Sequence, residues 1–379
     1  MRYNKKTVLS SYDIILILLV LFLSVFGLVM IYSTSSYNAA RYYGDAMLYF
    51  KRQGLFLVVG FFAMLIVSKI NYRWYIKPWF GKALLKPIYF LYLLCIGMQV
   101  YVLVFGYAAG GSSRWIRIPG LGNFQPSEVT KICVILMVAY LAQKAPKRMN
   151  YLSGYLVVII IMSPVLGLVA KLNLSTAIIM AGILTVICFT VARKKGYYVW
   201  VGLLLVALVV PFIMFAGYRA ERIQNWLDPE KLESGSQILG GLYAIASGGF
   251  FGKGLGESIQ KLGYIPEVHT DMIFTIICEE LGIFGAILVI AAILFMLWRL
   301  MLIAINAPDL YGSLIATGVL AHIALQVLLN IAVVTNSIPA TGIPFPFISY
   351  GGSSLLVLMI EMGIALSVSN YTVRDIDEE

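Results

Sequence analysis

Charged side chains inside long apolar runs are where this sequence could do chemistry, since such a charge costs about 2.5 to 3.5 kcal/mol or more unless it is paired or wetted. The candidates are Glu128 with Lys131, Asp271 with Glu279 and Glu280, and Glu361. Glu128 and Lys131 are three apart, about 60° around a helix, so they can pair with each other. Glu279 follows Asp271 by eight residues, about 12 Å along a helix and within about 80° of its face, whereas Glu280 points away. Glu279 is therefore the carboxylate expected to share a cavity with Asp271, and Glu361 is expected to make a structural polar contact. Asp271 closes the stretch Pro266-Glu267-Val268-His269-Thr270-Asp271. An acid there suits a helix N-terminus through the helix dipole. It also suits a general base, because Arg219, Arg222, Lys253 and Lys261 precede it and supply the cations a phosphate-bearing substrate needs.

Other chemistries lack their residues. The run Gly248-Gly249-Phe250-Phe251-Gly252-Lys253-Gly254-Leu255-Gly256 is rich in glycine. A nucleotide-binding phosphate loop, however, needs a glycine six residues before the lysine and a hydroxyl after it, where this chain has Ser247 and Gly254. Two histidines, His269 and His322, cannot build a zinc site of either the His-Glu-x-x-His or the Cys/His kind. The four cysteines, Cys95, Cys133, Cys188 and Cys278, all sit in apolar runs, where they read as small core residues. No Ser, His and Asp arrangement is favoured, and no dedicated metal cage is encoded.

The elements that must position these residues are membrane spans. Charged residues make up 12% of the 379 positions and the apolar set 60%, against about 25% and 45 to 50% in soluble domains, which excludes a water-soluble fold. The net charge of +10 is scattered in twos and threes between apolar stretches, a pattern that orients spans and argues against nucleic acid as a partner. Windows long enough to cross a bilayer predict ten helices, at about 13–33, 54–69, 87–108, 128–143, 152–170, 174–192, 197–217, 271–298, 311–334 and 353–370. The fold class expected is an all-α polytopic membrane protein of one domain over 1–379, with a large outer loop at 218–270. With the N-terminus in the cytoplasm, sixteen Lys and Arg fall inside, against six in short outer loops: Arg41, Lys51, Arg52, Arg114, Arg117 and Lys171. Both termini are therefore expected to be cytoplasmic. Residues 237–246 are apolar but too short to span, so they are expected to form an interfacial or re-entrant helix. From Asn336 to Gly352 the prolines and glycines forbid a continuous helix, so that backbone must be buried in protein or line a wet cavity.

A combination of stretches resembles one family across nearly the whole chain: Ser113-Arg114-Trp115-Ile116, Phe124-Gln125-Pro126-Ser127-Glu128 with Lys131, Ala244 to Gly249, Gly252 to Ser258, Pro266 to Asp271 with Glu279-Glu280-Leu281-Gly282, and Thr341 to Ser354. These resemble the SEDS proteins, ten-span peptidoglycan glycosyltransferases. Asn225-Trp226-Leu227-Asp228-Pro229 looks more like the FtsW and SpoVE branch than the RodA branch. The chain departs from the family at Lys171 to Thr176, where many members carry Pro-Asp-x-Gly, and no role is transferred there.

The resemblance implies that lipid II is polymerised in cell division at the outer face of the bacterial cytoplasmic membrane, with Asp271 as general base. The acceptor 4-hydroxyl would attack the donor's anomeric carbon and undecaprenyl pyrophosphate would leave, a single inverting displacement. The departing pyrophosphate needs positive charge, for which Arg114, Lys51, Arg52, Arg219, Arg222 and Lys253 are candidates. Trp115, Ser349 and Ser353 lie in the matching motifs and join the substrate-binding set, while Glu128, Lys131 and Glu279 form a supporting polar network. A divalent cation, Mg or Mn, could share the pyrophosphate, and no other cofactor is implied. Expected partners are membrane lipids, a class B penicillin-binding protein bound through its transmembrane helix, and other division proteins. The rival reading is a lipid II flippase, which needs a polar path at the midplane, and an elongation polymerase of the RodA kind is the nearer alternative. A non-catalytic scaffold would leave the charged outer loop without a purpose.

Overall fold

The computed structural model describes residues 13–79, 82, 85–109, 112–118, 122–202, 226–228, 236–262, 265 and 268–371. Among them, nine helices are long and apolar enough to cross a membrane. They are α1 (Ile14–Tyr43), α2 (Leu48–Lys69), α3 (Pro87–Phe105), α4 (Pro126–Lys144), α5 (Leu152–Leu172), α6 (Leu174–Val191), α8 (Ile273–Asn306), α9 (Leu310–Val334) and α10 (Gly352–Asn370), with the short α7 (Ser236–Ser247) before α8. The predicted span at 197–217 begins with helical residues at 196–202, and its remainder lies outside the described residues. Arg219 and Arg222 also lie outside them.

Local chemistry sets the helix ends. Proline opens α3 and α4, where a missing N–H costs nothing. Asp13, Asn173 and Asp309 cap α1, α6 and α9 by accepting from the amides of Leu16, Thr176 and Gly312. Asn173 alone separates α5 from α6, so the departure from the family motif is a helix cap in this chain.

Two expectations are corrected. The first two helices are longer than predicted: α1 runs ten residues past 33, and α2 starts at 48 rather than 54, because the polar residues Ser33, Thr34 and Ser35 bond within the bundle instead of ending the span. The all-α description also omits a small antiparallel sheet, β1 (Tyr107–Ala109), β2 (Ser112–Ile118) and β3 (Gly122–Phe124). It follows a third span that ends at 105 rather than 108. Trp115, Ile116 and Ile118, residue types that favour strands, are the local signal for it.

The sequence of α4 and α10 is apolar nearly all round, and both helices are buried along most of their length, as core helices should be. Antiparallel to α1 runs α8, fastened at both ends. Arg299 donates to Asp13 at 2.6 Å, and Ser33 donates to Glu280 at 2.7 Å. The twenty residues from Asp13 to Ser33 measure about 30 Å of helix, the thickness of a bilayer's hydrocarbon. Glu280 therefore stands near the far edge of that layer, and Asp271 lies beyond it.

Helix α8 is broken at Gly282, whose φ of +68° is a conformation that favours glycine. A break inside a membrane-spanning helix frees backbone groups that must find partners in protein. Here the glycine-rich run supplies them. Lys253 and Gly254 N–H donate to the carbonyls of Glu279 and Glu280, each at 3.0 Å, while Gly249 and Phe250 carbonyls accept from Ile283 at 3.0 Å and Phe284 at 3.2 Å. The approach is close enough that a Cβ on Gly252 would stand 2.1 Å from the Glu280 carbonyl oxygen. Glycine in this run serves as the plug of a broken helix, which is why it lacks the spacing of a phosphate loop.

Candidate functional site

Asp271 occupies a turn two residues before α8, part-buried, with Thr270 Oγ1 donating to its Oδ1 at 3.2 Å. Its position is fixed through the backbone. Asn330, buried on α9, donates from Nδ2 to the Asp271 carbonyl and to the Ile343 carbonyl, both at 2.8 Å. This joins the turn to the Pro-Gly-rich segment. Gly342 (φ +69°) lies alongside, where a Cβ would stand in ordinary contact, 4.0 Å from Asp271 Oδ2. The Tyr350 amide donates to the His269 carbonyl at 2.8 Å, and the His269 ring packs against Tyr49 at 4.5 Å and Tyr350 at 5.3 Å. Burial lowers the His269 pKa to about 4, so the imidazole beside Asp271 is neutral at physiological pH.

The segment after α9 is buried in protein from Phe345 to Ser349. Phe345 stacks on Phe274 at 5.3 Å. Ser349 Oγ accepts from the Phe345 amide at 2.8 Å and closes a turn there, and Ser353 is buried in the first turn of α10. Gln53 of α2 donates to the Ser349 carbonyl at 3.4 Å and accepts from Gly351 N–H at 3.2 Å. One residue earlier, Arg52 hydrogen-bonds the Tyr350 side chain, which brings a cation to the aromatic group around His269. Lys51 instead pairs with Asp45 at 2.9 Å on the surface. Arg114 and Trp115 lie on β2, which packs against α3, α4 and α5. Trp226 donates to the Asn336 carbonyl at 2.9 Å, docking its indole on the end of α9.

Beneath the turn runs a buried polar column. Its central rungs, His322, Gln326 and Asn330, repeat every four residues down one face of α9. His322 Nδ1 meets Glu361 at 2.8 Å and its Nε2 meets Gln326 at 2.8 Å. Gln326 also donates to the Pro344 carbonyl at 2.9 Å and accepts from Lys131 at 3.3 Å. Lys131 pairs with Glu128 at 3.0 Å, and Ser354 donates to Glu128 at 2.9 Å. The expected Glu128–Lys131 pair is thus present, and Glu361 makes the polar contact expected of it. The i, i+4 spacing of three polar residues in an otherwise apolar helix was the overlooked signal for the rest.

Breaking this pair by one change should hurt more than removing both charges, since a lone buried charge keeps its desolvation cost without a partner. Glu128→Gln or Lys131→Met alone is expected to lower thermal stability in detergent further than the double variant does. A double variant as defective as the worse single one, in inserted protein, would instead give each side chain its own function.

Glu279 does not share a cavity with Asp271 as expected. Lys253 Nζ lies 2.7 Å from its Oε1, Ile259 N–H donates at 3.2 Å, and Ser258 Oγ donates to Oε2. Glu280, expected to point away, is paired with Lys261 at 2.7 Å. The physical reason is that residues 248–261 fold back onto the break in α8 and bring their own cations. Lys253, expected among the pyrophosphate contacts, therefore already neutralises Glu279. Among the described residues, no three His, Cys, Asp or Glu side chains are grouped to hold a metal ion.

A chain of a solved peptidoglycan synthase complex, described as coordinating polymerization and crosslinking, superimposes with a TM-score of 0.79 at 26% identity, covering 96% of this chain and 99% of that one. Stage V sporulation protein E of Bacillus subtilis (strain 168) is 38% identical over 373 residues, 97% of this chain and 99% of its own. A protein named probable peptidoglycan glycosyltransferase FtsW from Trichlorobacter lovleyi is 38% identical over 365 residues, 95% of this chain and 94% of its own. The model of the cell cycle protein family FtsW/RodA/SpoVE matches residues 13–374, and this chain belongs to that family.

Proposed function

We propose that the protein is a peptidoglycan glycosyltransferase of cell division that polymerises lipid II, with Asp271 as general base. The observation carrying this reading is the place of Asp271. It is a part-exposed carboxylate in the turn before α8, beyond the hydrocarbon edge marked by Glu280, with its backbone held by Asn330. Asp271 takes the proton from the acceptor sugar's 4-hydroxyl, whose oxygen attacks the donor's anomeric carbon. The C–O bond to undecaprenyl pyrophosphate breaks, and the leaving group carries away the bonding electrons. One displacement turns the α-linked lipid into a β-linked glycan, so no second catalytic carboxylate is needed. Arg52, brought to Tyr350, is the described cation best placed to face the pyrophosphate. No step is routed through a metal ion. A flippase reading would need an open polar path at the midplane, whereas the Glu128, Lys131, Gln326, His322 and Glu361 column is buried and paired within itself. A transpeptidase helix in the lipid-facing surface is the proposed partner, supported by the similarity to a synthase complex that couples polymerization to crosslinking.

Purified protein given labelled lipid II, with and without a class B penicillin-binding protein, should yield glycan polymer. Transbilayer movement of lipid II without polymer would replace this reading by the flippase. The proposed orientation, both termini cytoplasmic in the bacterial inner membrane, predicts that a cysteine in place of Lys147 labels only after cells are permeabilised. Labelling in intact cells would reverse the topology.

A further inference from the structure

A cavity of about 380 Å³ lies where α4 ends and α5 begins, walled by Leu141, Lys144, Arg148, Met149, Val157 and Ile161. It belongs to the same end of the bundle as Asp13, far from Asp271, because Lys86 at the start of α3 donates to Tyr140 at 2.8 Å near the end of α4. Two features make its contents predictable.

The first is charge. From Val129 to Ala220 the chain has no Asp or Glu at all, and neither Lys144 nor Arg148 has a carboxylate partner among the described residues. Asn150 Oδ1 accepts from the amides of Arg193 at 2.7 Å and Lys194 at 3.2 Å, which gathers the Arg193-Lys194-Lys195 run beside the same segment. Retention of positive loops in the cytoplasm accounts for the number of these cations. It does not account for two of them lining one cavity.

The second is shape. Val157 in the wall is 47% exposed and continues into Leu156 and Ile160, the outward apolar strip of α5, so the cavity has a cationic floor and opens on a lipid-facing surface. Gly154 fixes the cationic side: a Cβ there would stand 2.1 Å from the Arg148 carbonyl oxygen, so the Pro146–Asn150 turn rests directly on α5. A mobile surface loop would not need that seat.

We propose that this cavity binds the phosphate headgroup of an anionic phospholipid, Lys144 and Arg148 contacting the phosphate and the acyl chain lying along Val157 and Ile160. Basic pockets between membrane helices on the cytoplasmic side recognise such headgroups through this combination. The lipid would be a structural ligand of the bundle, separate from the substrate.

The test uses the full-length protein in phosphatidylcholine nanodiscs with phosphatidylglycerol titrated in. In the parental protein, phosphatidylglycerol should slow hydrogen exchange across residues 144–158, and native mass spectrometry should detect it retained. Lys144→Gln with Arg148→Gln should weaken that retention about 30-fold, equivalent to about 2 kcal/mol from two cations. Lys147→Gln, on the same turn but outside the cavity wall, should weaken it less than about fivefold. Lys144→Arg with Arg148→Lys should retain binding. Equal protection by phosphatidylcholine, or no protection at 144–158, would overturn the proposal without relying on any variant. Displacement by millimolar inorganic phosphate would assign the site to a soluble anion and overturn the lipid.

Discussion

Asp271→Asn is expected to lose glycan polymerisation by about 10²- to 10⁴-fold, the usual loss on removing a positioned general base. Stability should hardly change. The carboxylate precedes α8 rather than lying inside it, and a lost helix-dipole partner at a wet terminus costs about 0.3 to 1 kcal/mol. The contacts that hold the turn are made elsewhere: Asn330 bonds the Asp271 carbonyl, and Tyr350 bonds the His269 carbonyl. An asparagine keeps both. The measurement is polymer formed from labelled lipid II by purified parental and variant protein of matched thermal stability and lipid II binding. Parental rates from the variant would falsify the base assignment. His269 is not an alternative base, because its ring is buried and enclosed by Tyr49 and Tyr350.

Local spacing made part of this site legible. Glu128 and Lys131 are three apart on a helix, and the pair is there at 3.0 Å. Asp271 is a candidate on local grounds alone: it is acidic, follows a cation-bearing loop and precedes an apolar run. The glycine-rich run could be excluded as a phosphate loop by spacing. Its actual task was out of reach, since nothing local says that Gly249 and Phe250 carbonyls will meet the amides freed by a break at Gly282. The same break sets the partners of Glu279 and Glu280. Angles around a straight helix rank which carboxylate faces Asp271, but partners for both arrive from a loop folded back from 19 to 26 positions earlier in the chain. His322 and Glu361 lie on different helices. Long-range pairs of this kind depend on how spans are arranged, which hydropathy leaves open. The small sheet is hard to read for a different reason: its longest strand has only seven residues and lies between two spans.

Lys261→Met should be among the most destabilising single changes in this chain. Its ammonium is 2.7 Å from Glu280 and 3.0 Å from Ser33, and it also donates to the Gly256 carbonyl at 2.6 Å. The Glu280 side chain is 0% exposed and that of Lys261 is 7% exposed. Removing the cation leaves a carboxylate with one serine for company, and breaking a buried pair in this way typically costs about 3 to 5 kcal/mol. Glu280 also joins α1 to α8 at the outer end, opposite the Asp13–Arg299 pair, so the damage should reach the contact between those two helices. Combining Lys261→Met with Glu280→Met removes the orphaned charge. Its melting temperature in detergent should recover most of the way to the parental value, since apolar replacements for buried ion pairs are often neutral. Polymerisation by that stable double variant then separates two roles for the pair. If it is retained, the pair is a structural fastening of the helix break. If it is lost while folding is normal, the charges act on the substrate side, and the loop from Gly248 to Lys261 belongs to the catalytic face.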